Sequence, residues 1–178
     1  MRKNIVVGVC GSIAAYKSVE IVRELKKKDW DVQVLLTRKA AHFITPLTLS
    51  VLSGRPVYTE MFDAEHFRED HISVANFAEV ILIAPATANI IGKIASGISD
   101  DILTCAVCAF KGPVVLAPAM NDKMWLNPIT QENVEKLQRH GYRIVPPQKG
   151  LLASGEEGVG RLADIEKIIS FITDIGKE

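Results

Sequence analysis

The 178-residue chain lacks net charge: its 21 Lys and Arg are offset by 21 Asp and Glu. Without a net field of either sign, general binding to nucleic acid or to an anionic membrane surface is excluded. It also lacks any apolar run near the roughly 20 residues that span a bilayer, because Gly, Pro or charge interrupts each one. Met1-Arg2-Lys3-Asn4 leads into a short apolar run ending at Gly8, with no long hydrophobic region and no small-residue cleavage site after it. Cysteine is scarce and odd in number, so Cys10, Cys105 and Cys108 cannot close a disulfide framework within one chain, and a reducing compartment fits best. Neither Gly-x-Gly-x-x-Gly nor a Gly-Lys-Ser/Thr loop occurs, which excludes the dinucleotide fingerprint and the Walker loop. There is no internal repeat and no low-complexity tract. These absences predict a soluble, cytoplasmic protein with no nucleic-acid or membrane partner.

What is present is 48% apolar residues in a chain the size of one domain, 1–178. β-Branched runs alternate with helical periodicity. Strands are predicted over 3–9, 32–36, 80–84, 113–117 and 142–145, with a short one near 57–58 and Pro85 ending the third long strand. Helices are predicted over 12–28, 40–52, 71–78, 89–96, 100–110, 128–140 and 162–175, with Pro128 in a first turn and Gly141 as a C-terminal cap. Residues 53–70, with an acidic run, read as irregular and mobile, and 146–160 as a long loop. This alternation predicts a doubly wound, mostly parallel α/β sheet with helices on both faces, three layers of Rossmann-like type. Ligands in such a fold lie beyond the carboxyl ends of the strands.

Those strand ends hold most of the unusual sequence. Gly11 and Ser12 place a glycine and a hydroxyl at a helix N-terminus, where free N–H groups favour a phosphate; the alternative is a Gly-lined turn capped by Ser12. Thr37 either adds a hydroxyl to that phosphate or caps a helix. Pro85-Ala86-Thr87-Ala88-Asn89 is small enough for a flat ring to lie on its backbone, or is an ordinary turn in which Asn89 caps the next helix. Met120, Met124 and Trp125 are costly to expose in a loop and either cover a ligand or join the core. His71 opens a helix near the strand ends, as a general base, a carboxylate partner or a simple cap. His42, His66 and His140 have no evident partners. Residues 151–161 are Gly-rich and long enough for a lid, or form a surface loop. Cys105-x-x-Cys108 has redox or zinc-half-site spacing, but its apolar helical context predicts buried helical cysteines.

Taken in order, Gly11-Ser12-Ile13-Ala14-Ala15-Tyr16-Lys17, His71-Ile72, Pro85-Ala86-Thr87-Ala88-Asn89 and Pro118-Ala119-Met120-Asn121-x-x-Met124-Trp125 resemble the flavin-containing cysteine decarboxylases. Within that family the likeness is greatest to the phosphopantothenoylcysteine decarboxylases of coenzyme A biosynthesis. The resemblance implies FMN, with its phosphate on Gly11, Ser12, Ile13 and Thr37 and its ring at Thr87, Ala88 and Asn89. It implies His71 and Asn121 as catalytic residues, and Asn121, Met124 and Lys17 as substrate contacts. It also implies a homotrimer, or an assembly of trimers, with active sites between subunits. In family terms the cysteinyl thiol is oxidised to a thioaldehyde, carbon dioxide leaves, and the resulting enethiol is reduced by the flavin. Many relatives add a ligase domain that makes phosphopantothenoylcysteine.

One position departs from the pattern. The family's flap, here 147–161, carries Ala-Cys-Gly, whose thiol protonates the enethiol; this chain has Ala153-Ser154-Gly155. Ser154 is a far weaker acid than a thiol of pKa about 8.5. Two other readings therefore stand beside the first: oxidative decarboxylation of a peptidyl C-terminal cysteine, and a non-catalytic FMN-binding regulatory or assembly subunit. The C-terminal Arg- and Glu-containing pattern of the related flavin prenyltransferases is not found.

Overall fold

A computed structural model describes residues 3–61 and 70–176, Asp70 by its backbone alone. Strands β1 (Lys3–Val9), β2 (Trp30–Leu36), β3 (Val80–Ala86), β4 (Val114–Pro118) and β5 (Arg143–Ile144) form one parallel sheet in the order β2-β1-β3-β4-β5. Their near-continuous apolar runs suit this, since a parallel strand is covered on both faces; all seven residues of β3 are buried.

Alternate side chains feed two cores. Ile5, Val7, Val34, Leu36 and Leu82 pack with Ile21 and Leu25 of α1 (Ser18–Lys27), Leu49 of α2 (Pro46–Ser53), and Ile168 and Ile172 of α8 (Ile165–Ile175). On the opposite face, Val6, Leu35, Ile81 and Ile83 pack with Val74 of α3 (Asp70–Phe77), Ile90 of α4 (Ala88–Ala95), Leu103 of α5 (Ile102–Ala109) and Leu137 of α7 (Pro128–Arg139). Each fully buried Ile or Leu contributes about 1.5–3 kcal/mol, so these two layers hold the sheet between them. Among the described residues no helix is long and apolar enough to cross a membrane.

Several expectations needed correction. The helices expected over 12–28 and 40–52 each begin as a 3-10 turn, Ile13–Lys17 and Ala40–His42, before α1 and α2. Pro85 does not end β3: the strand continues through a cis Ala84–Pro85 bond to Ala86, which pairs with Pro118 across a register shift. A proline is tolerated there because the shift already interrupts the ladder. Tyr58 pairs with Leu35 as a single parallel bridge. The supposed loop 146–160 is largely an antiparallel ribbon of β6 (Gln148–Leu151) and β7 (Glu157–Arg161). Gly150, Gly158 and Gly160 carry no side chains to reveal the alternation of these short strands. Cys105 and Cys108 are helical as expected, but Cys105 is half-buried and Cys108 exposed; only Cys10, on the strand end, is buried. Helix α5 turns its Leu103 and Val107 side to the sheet, which leaves Cys108 outward. His66 and most of the stretch expected to be mobile lie outside the described residues.

Candidate functional site

Chain order reverses between β1 and β3, because β1 is followed by its neighbour on one side and β3 lies on the other. The crevice at such a switch point is where an open α/β sheet binds ligands. A cleft of about 720 Å³ opens there, lined by Cys10 and Gly11 after β1, Thr37, Arg38 and Lys39 after β2, and Thr87, Asn89 and Ile90 after β3.

Short-range chemistry shapes this cleft. Thr37 N–H donates to the Val9 carbonyl at 3.1 Å, drawing the second loop over the first. A Cβ on Gly11 would lie 2.6 Å from Lys39 Cβ and 3.0 Å from its carbonyl carbon, so residue 11 must be glycine for the loops to meet. Ser12 Oγ accepts from Ala14 N–H, Thr37 Oγ1 from Ala40 N–H and Thr87 Oγ1 from Ile90 N–H, each at 3.3 Å. Accepting uses a lone pair and leaves each hydroxyl proton free to donate to an anion or a ring heteroatom. Thr87, not Asn89, caps α4. Burial pushes the Cys10 thiol up to about 12, against a backbone hydrogen bond from Thr87 that lowers it. Cys10 is thus a neutral wall rather than a nucleophile.

Two of the three cations on the walls, Arg38 and Lys93, are in ion pairs. Arg38 Nε and Nη2 donate to Glu60 Oε1 and Oε2 at 2.5 and 2.7 Å. Lys93 Nζ reaches Asp100 at 2.6 Å and Asp101 at 3.1 Å, and these carboxylates hold its pKa above the ordinary range. Sequence reading missed both groups, because the turn at 96–100 brings Lys93 to carboxylates seven and eight positions on, and Glu60 reaches Arg38 from 22 positions away. The only signal was an Asp-Asp pair following a helical lysine.

A second group of residues lies after β4. Asn121 caps the short helix α6 (Asp122–Trp125), its Oδ1 accepting from Lys123 N–H at 3.0 Å. That bond orients the amide and leaves its NH₂ free to donate, as a carboxylate ligand requires. Ribbon β6–β7 is fastened beside it: Met120 N–H donates to the Gly160 carbonyl at 2.9 Å. A Cβ on Gly160 would fall 2.1 Å from Met120 O, and one on Gly158 would fall 2.7 Å from Asp122 Cβ. Both flap glycines therefore permit contact with the Asn121 segment. Asp122 Oδ1 is buried with no hydrogen-bond partner among the described residues.

The cleft thus gathers Gly11, Thr37, Thr87 and Asn89, with Ser12, Ile13 and Ala88 adjoining them in the chain. His71 is half-buried in the first turn of α3. A helix feeding a parallel strand runs against it, so the start of α3 lies toward the carboxyl edge of the sheet. Met124 is half-exposed on α6, whereas Met120 and Trp125 pack on the core. Ser154 is exposed in the tip joining β6 to β7. Lys17 is not among the cleft residues; it lines a separate groove with Tyr16, Glu20 and Arg23. Burial lowers its pKa, and the nearby positive charge of Arg161 adds to this. Among the described residues no group of three His, Cys, Asp or Glu side chains is placed to hold a metal.

Comparison with known proteins agrees with this geometry. The Flavoprotein family model matches residues 1–176. The coenzyme A biosynthesis bifunctional protein CoaBC of Borreliella burgdorferi is 46% identical over 171 residues, covering 96% of this chain and 44% of that protein. The chain thus spans less than half the length of that relative. A probable phosphopantothenoylcysteine decarboxylase of Streptococcus mutans is 42% identical over 177 residues, 98% of this chain and 99% of that one. Among solved structures, a Cys-to-Ser mutant of PPC decarboxylase complexed with pantothenoylaminoethenethiol superposes with a TM-score of 0.90 at 31% identity, over 100% of both chains. The FMN-dependent cysteine decarboxylase SpaF gives 0.85 at 32% identity, over 98% of this chain and 97% of that one.

Proposed function

Since the chain belongs to the Flavoprotein family, we propose that it decarboxylates 4'-phosphopantothenoylcysteine to 4'-phosphopantetheine in coenzyme A biosynthesis, with FMN as cofactor. One observation carries the reading: the switch-point cleft and the Asn121 segment, with the ribbon fastened to it, both follow carboxyl ends of neighbouring strands β3 and β4.

The residues present fit FMN. Gly11 opens the close-packed junction, the backbone N–H of Ile13 and the hydroxyls of Ser12 and Thr37 are donors for its phosphate, and Thr87, Ala88 and Asn89 offer a small-residue ledge for its ring, while the Ser12 N–H is spent on the Cys10 carbonyl at 2.9 Å. When bound, FMN supplies two-electron oxidation of the cysteinyl thiol and the return of those electrons to the product. Asn121 donates its free amide N–H to the substrate carboxylate, holding it in place until carbon dioxide leaves. His71 takes or shares the proton of the substrate thiol, and Met124 covers the substrate. Lys17, beside Arg161 at the foot of the ribbon, supplies positive charge for the substrate's anionic end. The ribbon excludes water above Asn121, and Ser154 occupies the place of the flap acid.

The same reading proposes a cytoplasmic enzyme acting after a ligase, and a homotrimer or an assembly of trimers. Leu47 and Val51 support assembly: four apart on one face of α2, they are exposed by 72% and 73%, with exposed Phe43 in the turn before the helix. The test begins with an absorbance spectrum and FMN titration, where a flavin band and uptake are expected. Phosphopantothenoylcysteine and a peptide ending in cysteine are then assayed side by side for carbon dioxide. His71→Asn should keep FMN and lose release; a fully active variant removes its role, and preference for the peptide replaces the substrate. FMN binding without release from any cysteinyl compound would leave an FMN-binding subunit.

A further inference from the structure

The walls of the switch-point cleft carry three cations, Arg38, Lys39 and Lys93, and three carboxylates, Glu60, Asp100 and Asp101. Lys39 stands outside the ion pairs of this wall and brings one charge, so a phosphate monoester dianion is matched only when a second cation is released from its carboxylate. Lys93 is held by two carboxylates and lies after β3, with the ring ledge. Arg38 is held by one, directly follows Thr37 and lines the same cleft as Gly11, on which its neighbour Lys39 packs. Its side chain is 80% exposed, so its pair with Glu60 is of the screened, weakly stabilising kind that a stronger anion can replace. The guanidinium fork also matches two phosphate oxygens as well as it matches two carboxylate oxygens.

We propose that Arg38 is an exchangeable phosphate ligand: Glu60 holds it at the wall of the cleft, and the phosphate monoester of FMN takes it over. Glu60 is then a built-in competitor that tunes affinity, and Arg38 adds to the hydroxyl and N–H donors in distinguishing FMN from riboflavin, which has the same ring without the phosphate. Opposite effects are expected from removing the two members of one ion pair. If the pair merely braced the outer wall, where Leu36 N–H donates to the Tyr58 carbonyl, losing either member would weaken both ligands alike.

The inference rests on FMN as the cofactor and not on the decarboxylation reaction. Its test is fluorescence-quenching titration of the flavin-free protein with FMN and with riboflavin, at two salt concentrations, for the wild type and for Arg38→Met, Arg38→Lys and Glu60→Gln. Arg38→Met should weaken FMN about tenfold or more and leave riboflavin unchanged, since a hydrogen-bonded charge is lost for one ligand only. Arg38→Lys should fall between, keeping charge without the fork. Glu60→Gln should tighten FMN about threefold or more at low salt, the gain shrinking at high salt. Parallel weakening of both ligands by Arg38→Met and Glu60→Gln, with unchanged circular dichroism, overturns the proposal in favour of a brace. Equal binding of FMN and riboflavin by the wild type also overturns it, and no binding of either overturns the FMN reading with it. A second arm measures KM for phosphopantothenoylcysteine and its dephospho form at saturating FMN. If Arg38→Met raises only the first and leaves FMN affinity unchanged, Arg38 reads the substrate's phosphate and the proposal fails.

Discussion

Replacing Gly160 by Ala tests whether the ribbon must lie on the Asn121 segment. The new Cβ would stand 2.1 Å from the Met120 carbonyl oxygen, 3.2 Å from its carbon and 3.3 Å from the Asn121 carbonyl carbon. All three are backbone atoms, so no rotamer relieves the overlap, and either β7 withdraws or the loop after β4 moves. Withdrawal breaks the 2.9 Å bond from Met120 N–H to the Gly160 carbonyl. Overpacking of this kind costs about 1–3 kcal/mol and the hydrogen bond about 1 kcal/mol, together about 2–4 kcal/mol. In a chain of this size that corresponds to a fall in Tm of about 4–16 °C if ribbon and body unfold together. Where the ribbon lets go first, the same energy emerges as faster proteolysis within 147–161. Calorimetry and limited proteolysis therefore read the two routes, and carbon dioxide release reads the displaced Asn121. Gly155→Ala is the control: its φ of 83° is strained for alanine, but nothing lies within 4 Å, so only about 1–2 kcal/mol is lost and the docked strand is spared. A Gly160→Ala protein with unchanged Tm, cleavage and carbon dioxide release would refute the claim that this contact is required.

Ser154→Cys should speed formation of the saturated product while leaving carbon dioxide release nearly unchanged, because only the final carbon protonation needs an acid at the ribbon tip; equal rates of saturated product by mass spectrometry in both forms would send the search to another donor, such as Glu156 or Glu157. Iodoacetamide at neutral pH should label exposed Cys108 and spare buried Cys10, and early labelling of Cys10 would contradict its burial. For stability, the Cys10 thiol is raised from 9.0 to about 12 in the fold, so between those pH values the unfolded chain binds fewer protons and stability falls as pH rises, by at most about 1.4 kcal/mol per unit from this group. Denaturation of Cys10→Ala across that window should show a shallower fall than the wild type; identical slopes would remove the assignment.

The sequence by itself determined the sheet and the loops that bear the chemistry. Short, β-branched-rich apolar runs such as 80–84, too short for a helix and bounded by a proline, read as strands covered on both faces, and their alternation with helices leaves few topologies. Gly11, Thr37, Thr87 and Asn89 were legible because each lies within three residues of a strand end, and the ordered motifs supplied their proposed roles by resemblance. Tertiary structure decided what depends on distance between segments. That residue 11 must be glycine follows from Lys39 pressing on it, and that Gly158 and Gly160 must be glycines follows from Asp122 and Met120, pairs separated by 28 to 40 positions. Sequence periodicity could not show the ribbon, whose Gly-rich strands have too few side chains to alternate, nor the length of β3, which passes through Pro85 because a register shift excuses the missing N–H. Pairing of Arg38 with Glu60 was equally hidden, because Tyr58 runs beside Leu35 only once the sheet exists. Local patterns record which face of an element is buried; only folding fixes which side chains then meet.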